Sequence, residues 1–372
     1  MTHPGHGIPG GQAPPEATPG WLPPTGQPTG WSAPVGSPTD GWAPPPGSGP
    51  QWMPPQPWGP PAKPSPLPVE PREYPAFWRA PGVSWWKPVL AVVLGIVGFI
   101  VSGIVVMGIG LAVEAAVSGR DLSEVTMELG RGTITPITFL ANSASLGLLV
   151  PLAFLVSRLV GQKGGWISSV VGGIRWRWLL KCFAVSFVAV AALIAVTVLL
   201  EGWGSLELSL RPGWWWLLIG IIVVTPFQAA GEEYLVRGLL NRAVASFIPM
   251  RVVGAVLGAV LSSVVFMYIH LADDIWLNIT YFSMGMLFSY LAWRTGGLEA
   301  AIAMHVANNL VAMLFLPFQD IGEIFDRSEG TGDPTVLLQL GLLGIAAVVI
   351  VRMARRSSIE RVGPPQIVGM RH

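Results

Sequence analysis

The chain has 372 residues, of which 51% are hydrophobic and only 12% are charged, and its mean hydropathy is +0.56. So few charges in a chain of this length are typical of a protein that crosses the membrane several times rather than of a soluble domain. The formal net charge of +1 says nothing about nucleic acid. For a membrane protein of this composition we expect no nucleic-acid partner. A single cysteine, Cys182, excludes an internal disulfide framework.

Residues 1–84 differ in composition from the rest of the chain. Pro, Gly, Ser, Thr and Trp dominate, and a Gly-Trp pair recurs at Trp21, Trp31 and Trp42. Such a segment cannot bury enough aliphatic surface to offset its ordering entropy, so we predict a disordered, proline-rich cytoplasmic tail. The plainest interpretation is a low-complexity spacer, and the alternative is a docking segment for a cytoplasmic partner. The first thirty residues carry no basic segment with an apolar run, so no signal peptide is expected.

From residue 85 onward, apolar runs recur that are close to the roughly 20 residues needed to cross a bilayer. They predict an all-α, polytopic membrane helix bundle that occupies residues 85–372. The eight expected transmembrane helices cover 88–112, 134–157, 178–200, 213–235, 254–272, 276–293, 299–317 and 334–351.

The charges between these spans alternate in sign. Connections after even-numbered spans are basic, and they carry Arg158, Lys163, Arg175, Arg177, Lys181, Arg242, Arg251, Arg294, Arg352, Arg355, Arg356 and Arg361. The other connections are acidic, and they carry Asp121, Glu124, Glu128, Glu201, Glu207, Asp273, Asp274, Asp320, Glu323, Asp326 and Glu329. The positive-inside rule then predicts that both termini are cytoplasmic, which agrees with an even number of crossings.

Two adjacent carboxylates, Glu232 and Glu233, follow the apolar run of the fourth span. On a helix Glu233 and Arg237 share a face, while Glu232 points about 100° away. Arg237 can therefore neutralise Glu233 and leave Glu232 free to take a proton from water. Charged groups within a bilayer cost roughly 2.5–3.5 kcal/mol each on insertion scales, so we expect them to serve a function. The plainer alternative is an anchor pair at the membrane interface.

Two histidines also lie inside hydrophobic stretches. Phe266 and His270 form one i, i+4 pair, and His305 and Asn309 form another, with Asn308 as a less aligned amide. Neutral imidazole can bind a metal, a water or an oxyanion, and asparagine can donate to a developing tetrahedral oxygen. Either histidine alone is equally well explained as a polar bridge between helices. Together with the glutamates they indicate hydrolysis.

The order EExxxR, FxxxH and HxxxN on successive membrane helices resembles the CAAX protease and bacteriocin-processing family (CPBP, or Abi). Its eukaryotic members are the type II CAAX prenyl endopeptidases. The turn Arg294–Leu298, with the sequence RTGGL, is similar to the one usual in that family. The resemblance covers about residues 213–317, which we predict to be the catalytic core. The first three spans and the tail gain no support from it.

The resemblance implies a role for each residue of the motifs. Glu232 would activate a water together with His270. Glu233 and Arg237 would balance charge and hold their helix. Phe266 would pack beside the site.

The resemblance also implies an oxyanion-stabilising side formed by His305 and Asn309. Members of the family are often called metalloproteases, and Glu232, His270 and His305 could supply the three protein ligands of a catalytic zinc ion. The chain contains no HExxH helix. Zinc is therefore permitted, and a metal-free mechanism stays open.

The function predicted from these features is an intramembrane glutamate-dependent endopeptidase that hydrolyses peptide bonds of membrane-associated proteins or peptides. A non-catalytic membrane scaffold or a bacteriocin-immunity protein of the same fold is the alternative. A proton-relay transporter is a third class, disfavoured because the first half of the chain carries no matching set of polar motifs.

One expectation conflicts with this convergence. With the boundaries above, Glu232 lies near the cytoplasmic end of its span and His270 near the opposite end of the next one. The two groups can meet only if the fifth crossing starts late or tilts, for example after a surface-lying segment around 241–253, or if a water-filled cavity admits unwound backbone. A misplaced boundary at Asp273 is the other explanation.

Overall fold

The structure is a computed structural model, and it describes residues 63–206, 208–209, 211, 213–319 and 321–363. Within these residues the regular secondary structure is helical apart from one short antiparallel pair, β1 (Arg72–Glu73) with β2 (Val362–Gly363), and an isolated bridge. The predicted all-α class is confirmed. The Gly-Trp repeat and the rest of the tail before residue 63 lie outside the described residues.

The described residues contain eight helical runs that are long and apolar enough to cross a membrane, as predicted. They cover Trp86–Ser118, Pro136–Val160, Trp176–Glu201, Trp214–Phe247, Arg251–Tyr268, Ile275–Thr295, Glu299–Phe318 and Val336–Arg356. Their outer faces are apolar and exposed, as expected for surfaces that contact lipid. Together with the all-α architecture, these runs define a multi-pass membrane protein.

The individual helices follow in chain order. They are α1 (Trp86–Ser118), α2 (Leu122–Gly130), α3 (Pro136–Gly147), α4 (Leu149–Val160), α5 (Trp176–Glu201), α6 (Trp214–Glu233), α7 (Arg242–Phe247), α8 (Arg251–Tyr268), α9 (Ile275–Thr295), α10 (Glu299–Met313), α11 (Ile321–Ile324) and α12 (Val336–Arg356). A π-helical segment, Tyr234–Asn241, joins α6 to α7 without a break. Short 3-10 turns cover Tyr74–Ala76, Gly164–Ile167, Trp203–Leu206 and Leu316–Phe318.

The innermost helix is α10, which packs against α5, α6 and α9. Small side chains let these neighbours approach closely. Four alanines of α10 are completely buried: Ala300, Ala301, Ala303 and Ala307. The helix that carries His305 is therefore shielded from lipid on most sides.

The fourth span is longer than predicted, because it continues through the π-helical segment to Phe247 and has 34 residues. At 1.5 Å per residue an α-helix of this length measures about 50 Å, whereas the hydrocarbon core is about 30 Å thick. The predicted end at residue 235 is wrong because the π-helical segment continues the helix without a break into α7. Glu232 consequently lies near the middle of the helical run.

Arg242 was counted among the loop charges, yet it is completely buried. Its guanidinium lies over the rings of Tyr74, Phe77 and Trp78, with Cζ 4.7, 5.4 and 5.3 Å from the three centroids. Nη1 donates to the Trp166 carbonyl at 3.0 Å. Arg242 is thus a packing residue, and the positive-inside count loses one member.

Those aromatic residues correct the boundary predicted for the tail at residue 84. Residues 63–84 contain β1 and a 3-10 turn, and Tyr74, Phe77 and Trp78 are buried in the same core as helix residues. The Tyr74 hydroxyl donates to the Ile167 carbonyl at 2.5 Å. Buried aromatic surface offsets the ordering entropy of this part, which the proline content alone did not indicate.

The RTGGL turn positions the start of α10. Gly296 ends α9 with a φ of +71°, in the left-handed region that favours glycine. Its carbonyl accepts from Val170 at 2.9 Å, and Ser168 accepts the amide of Leu298 at 2.8 Å. Glu299, the first residue of α10, is ion-paired with Arg175 at 2.7 Å. The turn is therefore clamped by the connection between α4 and α5.

Candidate active site

The buried ion pair predicted between Glu233 and Arg237 is present. Nη1 of Arg237 donates to Oε1 of Glu233 at 2.9 Å, and both residues are at most 1% exposed. The same oxygen accepts from Nδ1 of His305 on α10, also at 2.9 Å. Glu233 therefore joins the first and third motifs, and its bond sets the tautomer of His305 with Nε2 directed away from it.

Glu232 lies beside this pair but has different partners. Its Oε1 accepts a hydrogen bond from Nε2 of Gln228, one turn earlier on α6. Its Oε2 is 3.8 Å from Nε2 of His305 and has no hydrogen-bond partner among the described residues. A direct hydrogen bond is not made at 3.8 Å. One oxygen of Glu232 is tethered, and the other is available to a water or a substrate group.

A chain of side-chain amides leads away from Glu232. Nδ2 of Asn309 donates to Oε1 of Gln228 at 3.2 Å. Oδ1 of Asn309 accepts from Asn308 at 3.1 Å, and Asn308 accepts from Gln339 of α12 at 2.8 Å. The bond from Asn309 uses one of its two amide hydrogens. The second hydrogen stays available, so the predicted donor role of Asn309 is compatible with this chain.

His270 follows the end of α8 and is held by two aromatic rings. Its Nδ1 is 2.6 Å from the Phe266 carbonyl and donates to it, which leaves Nε2 as an acceptor. The imidazole stacks on Tyr281 of α9 with 4.0 Å between centroids, and it contacts Phe266 at 4.6 Å. His270 makes no direct bond to Glu232, but both line the same cavity. The structure thus brings together the groups whose convergence the predicted boundaries made difficult.

Aromatic rings cover the buried ion pair. The Arg237 guanidinium lies over Phe266 at 4.4 Å and over Phe288 at 5.3 Å. Phe288 also stacks on His305 with 5.0 Å between centroids. Nε and Nη2 of Arg237 make no hydrogen bond within the described part of the chain, and the ring faces supply a partial substitute. The predicted packing role of Phe266 is consistent with these contacts.

The cavity has a volume of about 590 Å³ and contains Glu232, His270 and His305 in its lining. Much of the remaining lining is apolar and comes from α1, α3 and α10. Its members include Phe99, Met107, Phe139, Leu146 and Met313. A volume in the range of ligand pockets, with a few polar groups in an apolar wall, is typical of a site that binds a largely apolar ligand.

Four residues of this site were not predicted from the sequence: Gln228, Tyr281, Arg327 and Gln339. Gln228 could have been found, because a residue four positions before Glu232 shares its helix face. The other three come from α9, the connection after α10, and α12. Nothing in their local sequence indicates that they reach this cavity.

The hydrogen bond from Gln228 holds one oxygen of Glu232. Gln228→Met keeps the length of the side chain but removes the donor to Glu232, so we expect kcat to fall about tenfold with KM unchanged, since hydrogen bonds to charged groups contribute about 1.5–3 kcal/mol. Gln319→Met is the matched control, because that amide donates to the Leu206 carbonyl, away from the cavity. Equal kcat of wild type and Gln228→Met for peptide cleavage in nanodiscs would contradict this role.

The connection between α10 and α12 is fastened to the start of α9 by Asp274. Oδ1 of Asp274 caps α9 by accepting from Trp276 at 2.8 Å and Leu277 at 3.0 Å, and Oδ2 accepts from Gly330 at 3.0 Å. The backbone hydrogen bond from Leu277, followed by that from Gly330, lowers the pKa of Asp274. The anchor is therefore fully present at neutral pH and is lost only as the pH falls through this lowered pKa.

Asp274→Ala is expected to release that connection. At neutral pH, trypsin should cleave after Arg327 several-fold faster than in the wild type, because a detached connection is open to the protease. Mass spectrometry of limited digests gives the rate. Asp121→Ala is the control, since Asp121 precedes α2 without a side-chain cap. An unchanged cleavage rate would show that Asp274 does not hold the connection.

The predicted zinc ligands Glu232, His270 and His305 all line the cavity. Within the residues that the structure describes, no group of three or more His, Cys, Asp and Glu side chains is placed to hold a metal ion. Glu232, His270 and His305 thus do not form a three-ligand site in this arrangement. A zinc requirement for catalysis stays a prediction.

Comparison with known proteins agrees with the sequence motifs. Residues 213–311 match the family model described as Type II CAAX prenyl endopeptidase Rce1-like, so the predicted family resemblance is confirmed over this segment. Uncharacterized protein YyaK of Bacillus subtilis (strain 168) is 26% identical over 113 residues, which cover 27% of this chain and 34% of that protein. The chain thus spans about a third of the length of this curated relative. No solved structure matches the chain.

Proposed function

We propose that this protein is an intramembrane endopeptidase that uses Glu232 to hydrolyse peptide bonds of membrane-associated proteins or peptides. One observation carries the proposal. Oε2 of Glu232 and Nε2 of His305 lie 3.8 Å apart and make no direct hydrogen bond. Both residues line a cavity of about 590 Å³. The match to the endopeptidase family model covers the helices that carry both groups.

In the proposed reaction, a water lies between Glu232 and the acceptor nitrogen of His270. Glu232 takes a proton from this water as its oxygen attacks the carbonyl carbon of the substrate. The resulting oxyanion accepts from the free amide hydrogen of Asn309 and from Nε2 of His305. His305 donates there in the form that carries a proton on Nε2, while its Nδ1 stays bonded to Glu233. Glu232 then returns its proton to the leaving amine, and the C–N bond breaks.

Charge balance supports the division of labour between the two glutamates. Arg237 compensates Glu233, so the helix retains one uncompensated carboxylate, Glu232. Glu233 would hold Arg237 and His305 in place, and Glu232 would perform the proton transfer.

Hydrolysis can be tested without knowing the natural substrate. The full-length protein in lipid nanodiscs is incubated in H₂¹⁸O with a set of apolar peptides, including a farnesylated CAAX peptide, and products are identified by mass spectrometry. We expect cleavage with one ¹⁸O in the new carboxyl group. Absence of cleavage across the set would favour the non-catalytic scaffold or immunity protein.

A metal requirement needs its own experiment. Protein purified without added metal would contain about one equivalent of zinc, and chelation would abolish cleavage, if the metal prediction holds. Cleavage that survives exhaustive chelation would establish the metal-free mechanism.

We also propose that both termini are cytoplasmic and that the tail before residue 63 can recruit a cytoplasmic partner. The support for the orientation is the basic character of the connections after the even-numbered spans, now without Arg242. Protease protection of epitopes placed at the two ends, in sealed vesicles, tests the orientation.

A further inference from the structure

The connection between α10 and α12 carries several acidic residues, yet its Arg327 points into the cavity and lines it. Nε of Arg327 donates to the Tyr281 hydroxyl at 3.2 Å, and Nη1 donates to the Phe325 carbonyl at 3.0 Å. Among the side chains that the structure describes, no carboxylate pairs with this guanidinium, and Nη2 has no hydrogen-bond partner. The N–H groups of Nη2 are therefore available to an acceptor in the cavity.

The position of Arg327 is set by the backbone. Its own carbonyl accepts from the amide of Asp273 at 2.9 Å, and three residues later Gly330 donates to Asp274. The side chain also lies over the ring of Phe325 at 5.3 Å. Arg327 is therefore a held cation rather than a mobile surface group, and holding its rotamers in advance lowers the entropy cost of binding an anion.

The charges in the cavity lining indicate what Arg327 can bind. The other ionisable members are Glu232, His270, His305 and Tyr281, so Arg327 is the one guanidinium or ammonium group among the described lining residues. Tyr281 connects it to the reaction centre, because the same phenol ring stacks on His270 at 4.0 Å. An anionic group held by Arg327 would therefore be separated from His270, and from the water proposed to attack, only by the Tyr281 side chain.

Resting on the proposed peptidase function, we propose that Arg327 forms a carboxylate subsite of the substrate cavity. A guanidinium binds carboxylates through paired N–H···O bonds, and these bonds strengthen where water is excluded. A substrate carboxylate at Arg327 would place the adjoining peptide segment against Glu232 and His270. The carboxylate can be the C-terminus of the peptide or an acidic side chain near the scissile bond. Arg327 then selects apolar peptides that carry one negative charge.

Direct binding tests this subsite independently of turnover. The full-length protein with Glu232→Gln, which blocks hydrolysis, is titrated in nanodiscs of uncharged lipid with a fluorescent apolar octapeptide. The peptide is used with a free C-terminal carboxylate, with a C-terminal amide, and as an amide with one internal glutamate. Affinity is read by anisotropy at constant ionic strength. We expect at least one carboxylate form to bind about tenfold more tightly than the uncharged amide. Which form prevails identifies the source of the carboxylate.

Variants then assign the preference to Arg327. When Arg327→Gln is added to the Glu232→Gln protein, the three peptides should bind equally. Arg327→Lys in the same background should retain part of the preference, because a lysine keeps the charge but not the paired geometry. Arg131→Gln is the matched control: Arg131 is an exposed arginine after α2 and does not line the cavity. Unchanged thermal unfolding verifies that each variant is folded.

Two results would overturn the subsite. One is equal or undetectable binding of all three peptides by the Glu232→Gln protein. The other is a carboxylate preference that survives the addition of Arg327→Gln. Failure of the proposed function has a different signature. In that case carboxylate-selective binding is observed while no peptide incorporates ¹⁸O, whereas ¹⁸O incorporation without carboxylate preference rejects the subsite alone.

Discussion

Glu232→Gln is expected to lower kcat for peptide cleavage by about 10³-fold and to leave the protein folded. The amide is isosteric with the carboxylate and can still accept from Gln228, but it cannot take a proton from water. General base catalysis contributes about 10²- to 10⁴-fold, which sets the expected loss. The measurement is ¹⁸O-resolved product formation in nanodiscs under saturating peptide.

Glu201→Gln is the matched control, because Glu201 ends α5 in an exposed position. It removes one carboxylate from a membrane helix and should not change kcat.

His270→Ala, like Glu232→Gln, should lower kcat, here by about 10²-fold, because the water loses its second acceptor. Turnover by Glu232→Gln or His270→Ala equal to that of the wild type would remove the proposed catalyst.

Arg237→Met is expected to destabilise the protein by about 3–5 kcal/mol, the usual cost of leaving one partner of a buried ion pair without compensation. Methionine retains packing between Phe266 and Phe288 but removes the charge next to Glu233. Unfolding in mixed micelles, followed by the fluorescence of the tryptophans, gives the free energy change. We expect lost activity as well, because Glu233 also holds His305.

A double variant separates charge from packing in this cluster. Glu233→Gln together with Arg237→Met removes both charges and should recover part of the stability lost in Arg237→Met alone. Arg356→Met is the control, since this arginine is exposed at the end of α12. If Arg237→Met is no less stable than Arg356→Met, Glu233 does not depend on Arg237 for charge compensation.

The secondary structure was largely predictable because the membrane imposes a length on apolar segments. Each helix must satisfy its own backbone hydrogen bonds in lipid, so runs of about 20 apolar residues are nearly sufficient to locate the crossings. The pairing of Glu233 with Arg237 was predictable for a similar reason, since a spacing of four residues fixes a shared helix face. The placement of Arg242 among the loop charges was wrong, because tertiary contacts bury its side chain.

The amino-acid sequence by itself determined the all-α membrane class, the eight crossings and the motifs that carry Glu232, His270 and His305. Only the tertiary structure decided that Glu233 bonds to His305 and that Gln228 tethers Glu232. It also decided that Arg327 reaches the cavity from a connection more than fifty residues away from His270. Local periodicity specifies which side chains share one helix face, whereas contacts between helices depend on how all of them pack together. That packing follows from burial and shape over the whole bundle, which no short segment of sequence contains.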